Sequence, residues 1–177
     1  MRIISGSLKG KRFVPPRDFG GRPTTDYARE SLFNILHHRL SFSEISFLDL
    51  FAGTGAFTYE CFSRGATDLT AVEMNTSAAR FIQAKCQEFH IAGANILRQD
   101  AFAFIASCRK QYDLVIADPP FAHARLQELP TLVFRQNMLV AGGWLVLEHD
   151  SSRIFENEDH FVEERRYGHV HFSFFQN

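Results

Sequence analysis

Asp118-Pro119-Pro120-Phe121 closes the stretch DLVIADPPFAH, residues 113–123. A run suited to a buried strand ends on a carboxylate, two prolines follow, and an aromatic ring comes next. The prolines hold φ near about −65° and bring no N–H that would compete as a donor. An exocyclic amine on an aromatic ring is a poor nucleophile, because its lone pair is delocalised. Acceptors on both of its hydrogens favour the geometry in which that lone pair faces an electrophile. The Asp118 side chain and the Pro119 carbonyl can each supply one acceptor, and Phe121 can stack on the ring. Alone, the same residues also suit a type I turn at a strand end.

A second constellation lies upstream. LDLFAGTGAF carries Asp49, Phe51, Gly53 and Gly55, with Thr58 where a dinucleotide fingerprint has its third glycine. A lone G-x-G is also what any tight strand-to-helix turn requires. Glu73, followed by Met74, ends the next strand, where an acid can accept both hydroxyls of a ribose. Asp100, followed by Ala101, ends the one after; it can accept an adenine amine or cap a helix. A pyrophosphate wants helix N–H groups free of negative charge, and Asp49 just before the loop is a poor neighbour for it. A cationic sulfonium or ammonium is favoured there instead, which points to S-adenosyl-L-methionine over NAD.

Alternating elements position these residues. RIISGSLKGKRFVPP reads as a basic hairpin and RDFGGRPTT as a loop. Asp26 is placed to cap a helix with Ala28, Leu32, Ile35, Leu36 and Leu40 at three- and four-residue spacings. From residue 46, SFLDLFA, DLTAVEM, NILRQD, YDLVIADPP and GGWLVLEHD read as strands separated by helices. The helices run from Ala56 to about Ser63, from a cap at Asn75 or Thr76, in a short piece after Asp100, and from Pro130 to about Asn137. FVEERRYG and HFSFFQN read as strands joined at Gly168. The alternation predicts an α/β fold with a mostly parallel sheet, and the tight final link makes the last pairing antiparallel. Every polar residue named above then falls at the carboxyl end of a strand, where ligands bind in such sheets.

Composition sets the surroundings. The chain has 177 residues, 45% hydrophobic and 22% charged, with a net charge of −1. That length suits one domain, divided as a basic extension over 1–23 and a body over 24–177. The extension carries Arg2, Lys9, Lys11, Arg12, Arg17 and Arg22 against Asp18 alone. Such an arm suits an anionic partner, nucleic acid being the usual one, or is simply a solvated hairpin. Cys61, Cys86 and Cys108 lack metal or disulfide spacing, and the expected location is the cytoplasm. The start lacks a signal-peptide apolar segment and no stretch approaches the ~20 residues of a membrane span. His169 and His171 share a strand face without a visible third ligand, so no metal is expected. A pyrimidine C5 chemistry would need a cysteine by the fourth strand, and Cys108 lies earlier in a helix.

The assembled chain resembles a class I methyltransferase. More narrowly it is similar to the bacterial enzymes that methylate the N2 of a guanine in 16S ribosomal RNA. The resemblance rests on RIISGSLKGKRFVPP, RPTTDYARESLFNIL, LDLFAGTGAFTYECFSRGA, VEMN, DPPF and RYG before the last strand. Thr54, Phe57 and Tyr59 depart from the family's usual residues. The resemblance implies a Rossmann-like seven-stranded sheet with an antiparallel last strand, plus the N-terminal basic β-hairpin. It implies S-adenosyl-L-methionine held by Asp49, Phe51, Gly53, Gly55, Glu73, Met74, Asp100 and Ala101, and a target amine against Asp118, Pro119, Pro120 and Phe121. It further implies RNA contacts from Arg2, Lys9, Lys11, Arg12, Arg22 and Thr24, a monomer, and 16S ribosomal RNA in the small subunit or an assembly intermediate as substrate. Other amines (adenine N6 of DNA, protein glutamine) suit the same motif. A non-catalytic RNA-binding module and a nicotinamide-dependent oxidoreductase are the readings outside this class.

Overall fold

A computed structural model of the chain describes residues 1–15 and 24–177. The helix α1 (Asp26–His37) precedes an alternating series: β1 (Ser46–Leu50), α2 (Ala56–Ser63), β2 (Asp68–Val72), α3 (Thr76–Glu88), β3 (Asn95–Leu97), α4 (Ala101–Ser107), β4 (Tyr112–Ala117), α5 (Leu129–Arg135) and β5 (Leu139–His149). The strands β6 (Phe161–Tyr167) and β7 (Val170–Gln176) close the chain. The sheet order is β3-β2-β1-β4-β5-β7-β6. β1 to β5 are parallel, and β7 runs antiparallel between β5 and β6. The order reverses between β1 and β4, the switch point at which such sheets bind ligands.

Alternation along the strands fills both faces. Leu114, Ile116 and Val146 pack with Leu32, Leu36, Phe57 and Ile82 from α1, α2 and α3. Val115, Ala117, Leu145 and Leu147 pack with Ile105, Leu129 and Val133 from α4 and α5. Strands covered on both sides become continuous apolar runs, as in LVIA and WLVL.

Three local expectations change. Thr25, not Asp26, caps α1: its side chain accepts the Ala28 N–H, and Asp26 sits in the first turn paired with Arg29 at 2.9 Å. The third strand is three residues long. The N-terminal segment has a single antiparallel bridge, Arg2 to Arg12, in place of a strand ladder. Across it the Ile3, Gly10 and Phe13 N–H groups donate to the Lys11, Ile3 and Met1 carbonyls at 2.9, 2.8 and 3.1 Å, while other donors of the segment go to α2. The N–H groups of Ile4 and Ser5 donate to the Glu60 carboxylate at 2.8 and 3.1 Å, and those of Ser7 and Leu8 to the Ser63 carbonyl and hydroxyl at 2.7 and 2.9 Å. The segment docks on the end of α2, so no second strand can use those groups. Gly6 is required there, with φ at +80° and a Cβ that would stand 1.6 Å from the Ser63 carbonyl oxygen.

Candidate active site

The register of β1 with β2 and β4 aligns Leu50 with Val72 and Ala117, so the loops after these strands open side by side. They enclose a cavity of about 540 Å³. Phe51, Gly53, Glu73, Met74, Asp100 and Ala101 line one part of it, and Asp118, Pro119, Pro120 and Phe121 another. Thr24 and Met1 reach the same space from the N-terminal side. Two motifs that sequence separates by more than sixty residues thus share one hollow.

The glycine loop is tight. Phe51, Gly53 and Gly55 all have positive φ, at 63°, 55° and 77°. For Phe51, a non-glycine, that costs of order 1 kcal/mol and is the sort of strain that gathers at functional sites. Gly55 begins α2, and a Cβ there would lie 2.7 Å from the Tyr59 ring. It is a packing glycine and does not line the cavity.

Asp49 also lies outside the cavity wall. It is fully buried beneath the loop and accepts the Thr58 N–H at 3.1 Å and the Thr58 hydroxyl at 2.7 Å through Oδ2. Its other oxygen, Oδ1, is buried without a partner. Burial pushes its carboxyl up to about 7; the Thr58 bonds oppose this, and the nearby charges of Asp118 and Glu73 add to it. The sequence placed Asp49 against the cofactor, but the structure places it under the loop that would hold one. Glu73 is fixed by both oxygens, accepting the Gly53 N–H at 2.8 Å and the Asn75 N–H at 2.7 Å. It also lines the cavity. Asp100 lines the cavity and caps α4 by accepting the Ala103 N–H at 2.9 Å.

Around Asp118 the structure adds Glu148, which the sequence reading missed, and brings in Thr24, expected there as an RNA contact. Thr24 Oγ1 lies 3.4 Å from Asp118 Oδ2 and donates to Glu148 Oε2 at 2.7 Å. Glu148 comes from the end of β5, next to β4. Burial raises the Asp118 carboxyl well above the usual carboxylate range, the Glu148 charge raises it further, and the Thr24 hydroxyl opposes both. An acid ending the strand beside DPPF was the available signal. On the far side of Phe51, His123 stacks on Phe102 with ring centroids 5.0 Å apart, and the Arg125 guanidinium lies 4.2 Å from the Phe102 ring centre. His123 is therefore part of the cavity wall, while Arg125 pairs with Glu128 at 2.8 Å.

The arm is held by buried charge. Arg29, 1% exposed, donates to the Arg2 carbonyl, while Glu60 takes the arm's N–H groups and pairs with Arg64 at 2.9 Å. Arg2, Lys9, Lys11 and Arg12 are exposed. Arg2 lies 3.5 Å from Asp26. Among the described residues, Lys9, Lys11 and Arg12 form no ion pair. Arg22 lies outside the described residues. His171 has the company the sequence did not reveal: ligand atoms of His149, Glu164 and His171 all lie within 4.8 Å of one another. Each is already engaged. His149 contacts the Asp150 carbonyl and the Ser173 hydroxyl, both at 2.8 Å, and Glu164 binds Arg166 and lies 3.3 Å from His171. Cys61, Cys86 and Cys108 are free and buried. Among the described residues, no helix is long and apolar enough to cross a membrane.

The cavity fits an adenosyl cofactor with a positive centre. A fixed carboxylate stands at the end of β2, a left-handed glycine loop lets a ligand approach its backbone, and an unpartnered buried carboxylate oxygen lies beneath that loop. A diphosphate would meet that charge unfavourably.

Comparison with known proteins agrees. Residues 1–176 match the family model described as conserved hypothetical protein 95. The Escherichia coli K12 protein named ribosomal RNA small subunit methyltransferase D is 34% identical over 148 residues, covering 84% of this chain and 71% of that one. The solved structure of yhhF from Escherichia coli is similar with a TM-score of 0.87 at 28% identity, covering 100% of this chain and 97% of that chain. A Thermus thermophilus 16S rRNA N2 G1207 methyltransferase, in complex with AdoMet and guanosine, shares the fold with a TM-score of 0.71 at 21% identity, covering 89% of this chain and 45% of its own. By the match along almost its whole length and by its named relative, this chain belongs to the family of ribosomal RNA small subunit methyltransferase D, built on the class I, S-adenosylmethionine-dependent methyltransferase fold.

Proposed function

We propose that the protein methylates the exocyclic N2 of a guanine in 16S ribosomal RNA, presented by the small ribosomal subunit or an assembly intermediate, and acts as a monomer. The observation that carries this reading is the meeting of Asp118-Pro119-Pro120-Phe121 with Glu73, Gly53 and Asp100 around one cavity. Bound S-adenosylmethionine supplies a methyl group on a sulfonium with a neutral thioether as leaving group.

The chain's own residues do the rest. Glu73 takes the ribose hydroxyls, Met74 and Ala101 flank the adenine, and the Gly53 turn lets the ligand lie against backbone. Asp118 and the Pro119 carbonyl accept the two hydrogens of the target amine and turn its lone pair toward the methyl carbon. Phe121 holds the base plane, and proximity with fixed acceptors supplies most of the rate. A guanine edge presents N1–H and N2–H₂ donors, which one carboxylate can accept together. A base in a stacked helix cannot reach the cavity, so the target is unpaired or flipped out. The exposed cations Arg2, Lys9, Lys11 and Arg12 hold flanking phosphates, and Met1 in the cavity wall brings that arm to the mouth of the site.

The test is Asp118→Ala. S-adenosylmethionine binding by calorimetry stays within about twofold, and methyl transfer to 16S RNA particles falls by about a hundredfold or more. A variant that still transfers methyl near the normal rate removes Asp118 from the chemistry. Transfer to DNA adenine or protein glutamine in a parallel assay would move the substrate and keep the fold.

A further inference from the structure

Glu148 stands beside Asp118 but not in the cavity wall. β4 and β5 are parallel with Ala117 opposite Leu147, so the next residue on each strand lies at the same height. Both side chains emerge toward the face of the sheet that packs α1, where Thr24 precedes the helix. Glu148 is 2% exposed, whereas Asp118 keeps one side open to the cavity. The Thr24 hydroxyl sits between them, at 2.7 Å from Glu148 and 3.4 Å from Asp118. It has one hydrogen, and the shorter contact takes it. Across from Glu148 on β7 is Phe172, which carries no charge. Among the described residues, Asp118 is thus the titratable group facing Glu148, Asp49 of the neighbouring β1 is the other acid near Asp118, and no cation pairs with either Glu148 or Asp118.

We propose that Glu148 is a positioning residue for methyl transfer, linked to Asp118 through the Thr24 hydroxyl, and that its charge makes Asp118 the base that takes the proton of the methylated amine. This rests on the amine-methylation reading above and adds to it the fate of the proton. The amine nitrogen bonds to the methyl carbon, the carbon–sulfur bond breaks with its electron pair going to sulfur, and the nitrogen is left with a positive charge. One N–H proton then passes to Asp118 Oδ, which restores a neutral methylated amine and leaves a neutral carboxyl. A solitary exposed carboxylate is a weak base. A buried one beside a second anion holds a proton far more readily. Burial likewise pushes Glu148 up to about 7, and the Thr24 donor opposes the shift. Thr24 fixes the distance between the two acids. It also gives a protonated Asp118 an oxygen to donate to while the same hydroxyl donates to Glu148.

A structural role, in which Glu148 merely ties the segment before α1 to the sheet, makes a different prediction. The experiment measures kcat, KM for RNA particles and the pH dependence of kcat for Glu148→Gln, Thr24→Val and Thr24→Ser, with mass analysis of the product base. Glu148→Gln keeps the shape and removes the charge. Its kcat falls about tenfold with KM held, and the acid limb of its profile moves down by about one pH unit, because Asp118 loses its anionic neighbour. Thr24→Val removes the donor that holds both carboxyls down, so its limb moves up, and Thr24→Ser restores it. An unchanged limb in Glu148→Gln, or a loss confined to KM, overturns the inference. If Glu148→Gln does not fold, an unmoved limb in Thr24→Val overturns the inference and an upward shift supports it. If the wild-type enzyme places no methyl on an amine, the parent reading fails and this inference falls with it; wild-type methylation with an unmoved limb defeats this inference alone.

Discussion

Asp49 and Asp118 end adjacent strands and look alike in the sequence, yet they meet different surroundings. Asp118 opens onto the cavity, whereas Asp49 is sealed beneath the glycine loop with one oxygen unpartnered. Because the folded protein holds Asp49 with a raised value, its native state binds a proton that the unfolded chain releases. Stability therefore falls as pH rises from 3.8, the ordinary value, to about 7, and is flat beyond. Asp49→Asn removes that cost. Its melting temperature relative to wild type should rise between pH 5 and pH 8 in thermal scans without ligand; a constant difference would mean that Asp49 is already ionised at low pH. The cofactor's positive charge favours the ionised form, so calorimetry should show S-adenosylmethionine binding tighten through this pH range in the wild type and lose that dependence in Asp49→Asn. At this scale DPPF was legible because its four residues are contiguous and each has a local geometric meaning. Glu148 was not, because its place beside Asp118 comes from strand register across some thirty residues. Thr24 reaches the same point from more than ninety residues upstream.

The elements follow from local signals wherever those signals act within one turn or one strand. Asn75 accepts the Ala78 N–H and caps α3 as its type and spacing imply, and Gly168 with φ of 66° turns β6 into β7. The N-terminal segment departs from its pattern because its partners lie near residue 60. Glu60 and Ser63, buried on the short helix α2, take the N–H groups of Ile4, Ser5, Ser7 and Leu8, and the cross-strand bonds stay with Met1, Ile3, Gly10, Lys11 and Phe13. Glu60→Ala leaves the Ile4 and Ser5 N–H groups and Arg64 without their acceptor, and should lower global stability by about 2–4 kcal/mol in denaturant unfolding. Gly6→Ala should release the arm while leaving the sheet intact, seen as faster amide exchange confined to about residues 3–13. Unchanged exchange in Gly6→Ala would show that the arm holds by other contacts.

Across the whole molecule, the net charge of −1 conceals a division of labour. Acids converge on the strand ends, where a cationic donor and an amine are to be received, and exposed bases crowd the arm beside the cavity. The alternating pattern made the parallel sheet legible, and the tight turn at Gly168 made its antiparallel end legible. The cavity was not, since it forms only when β1, β2 and β4 align. Reversing charge at Lys9, Lys11 and Arg12 should weaken RNA binding and flatten the slope of log affinity against log salt by about 2, at roughly 0.7 per single-strand phosphate contact, with cofactor binding unchanged. An unaltered slope would make the arm structural only. The central claim, methyl transfer to guanine N2 in 16S RNA, is tested most directly by mass mapping of methylated bases in that RNA from cells with and without the gene. The account predicts one N2-methylguanine that disappears with the gene and returns with wild-type protein but not with Asp118→Ala. An identical methylation map in both cells, or loss of a methyl from a different kind of atom, would contradict it.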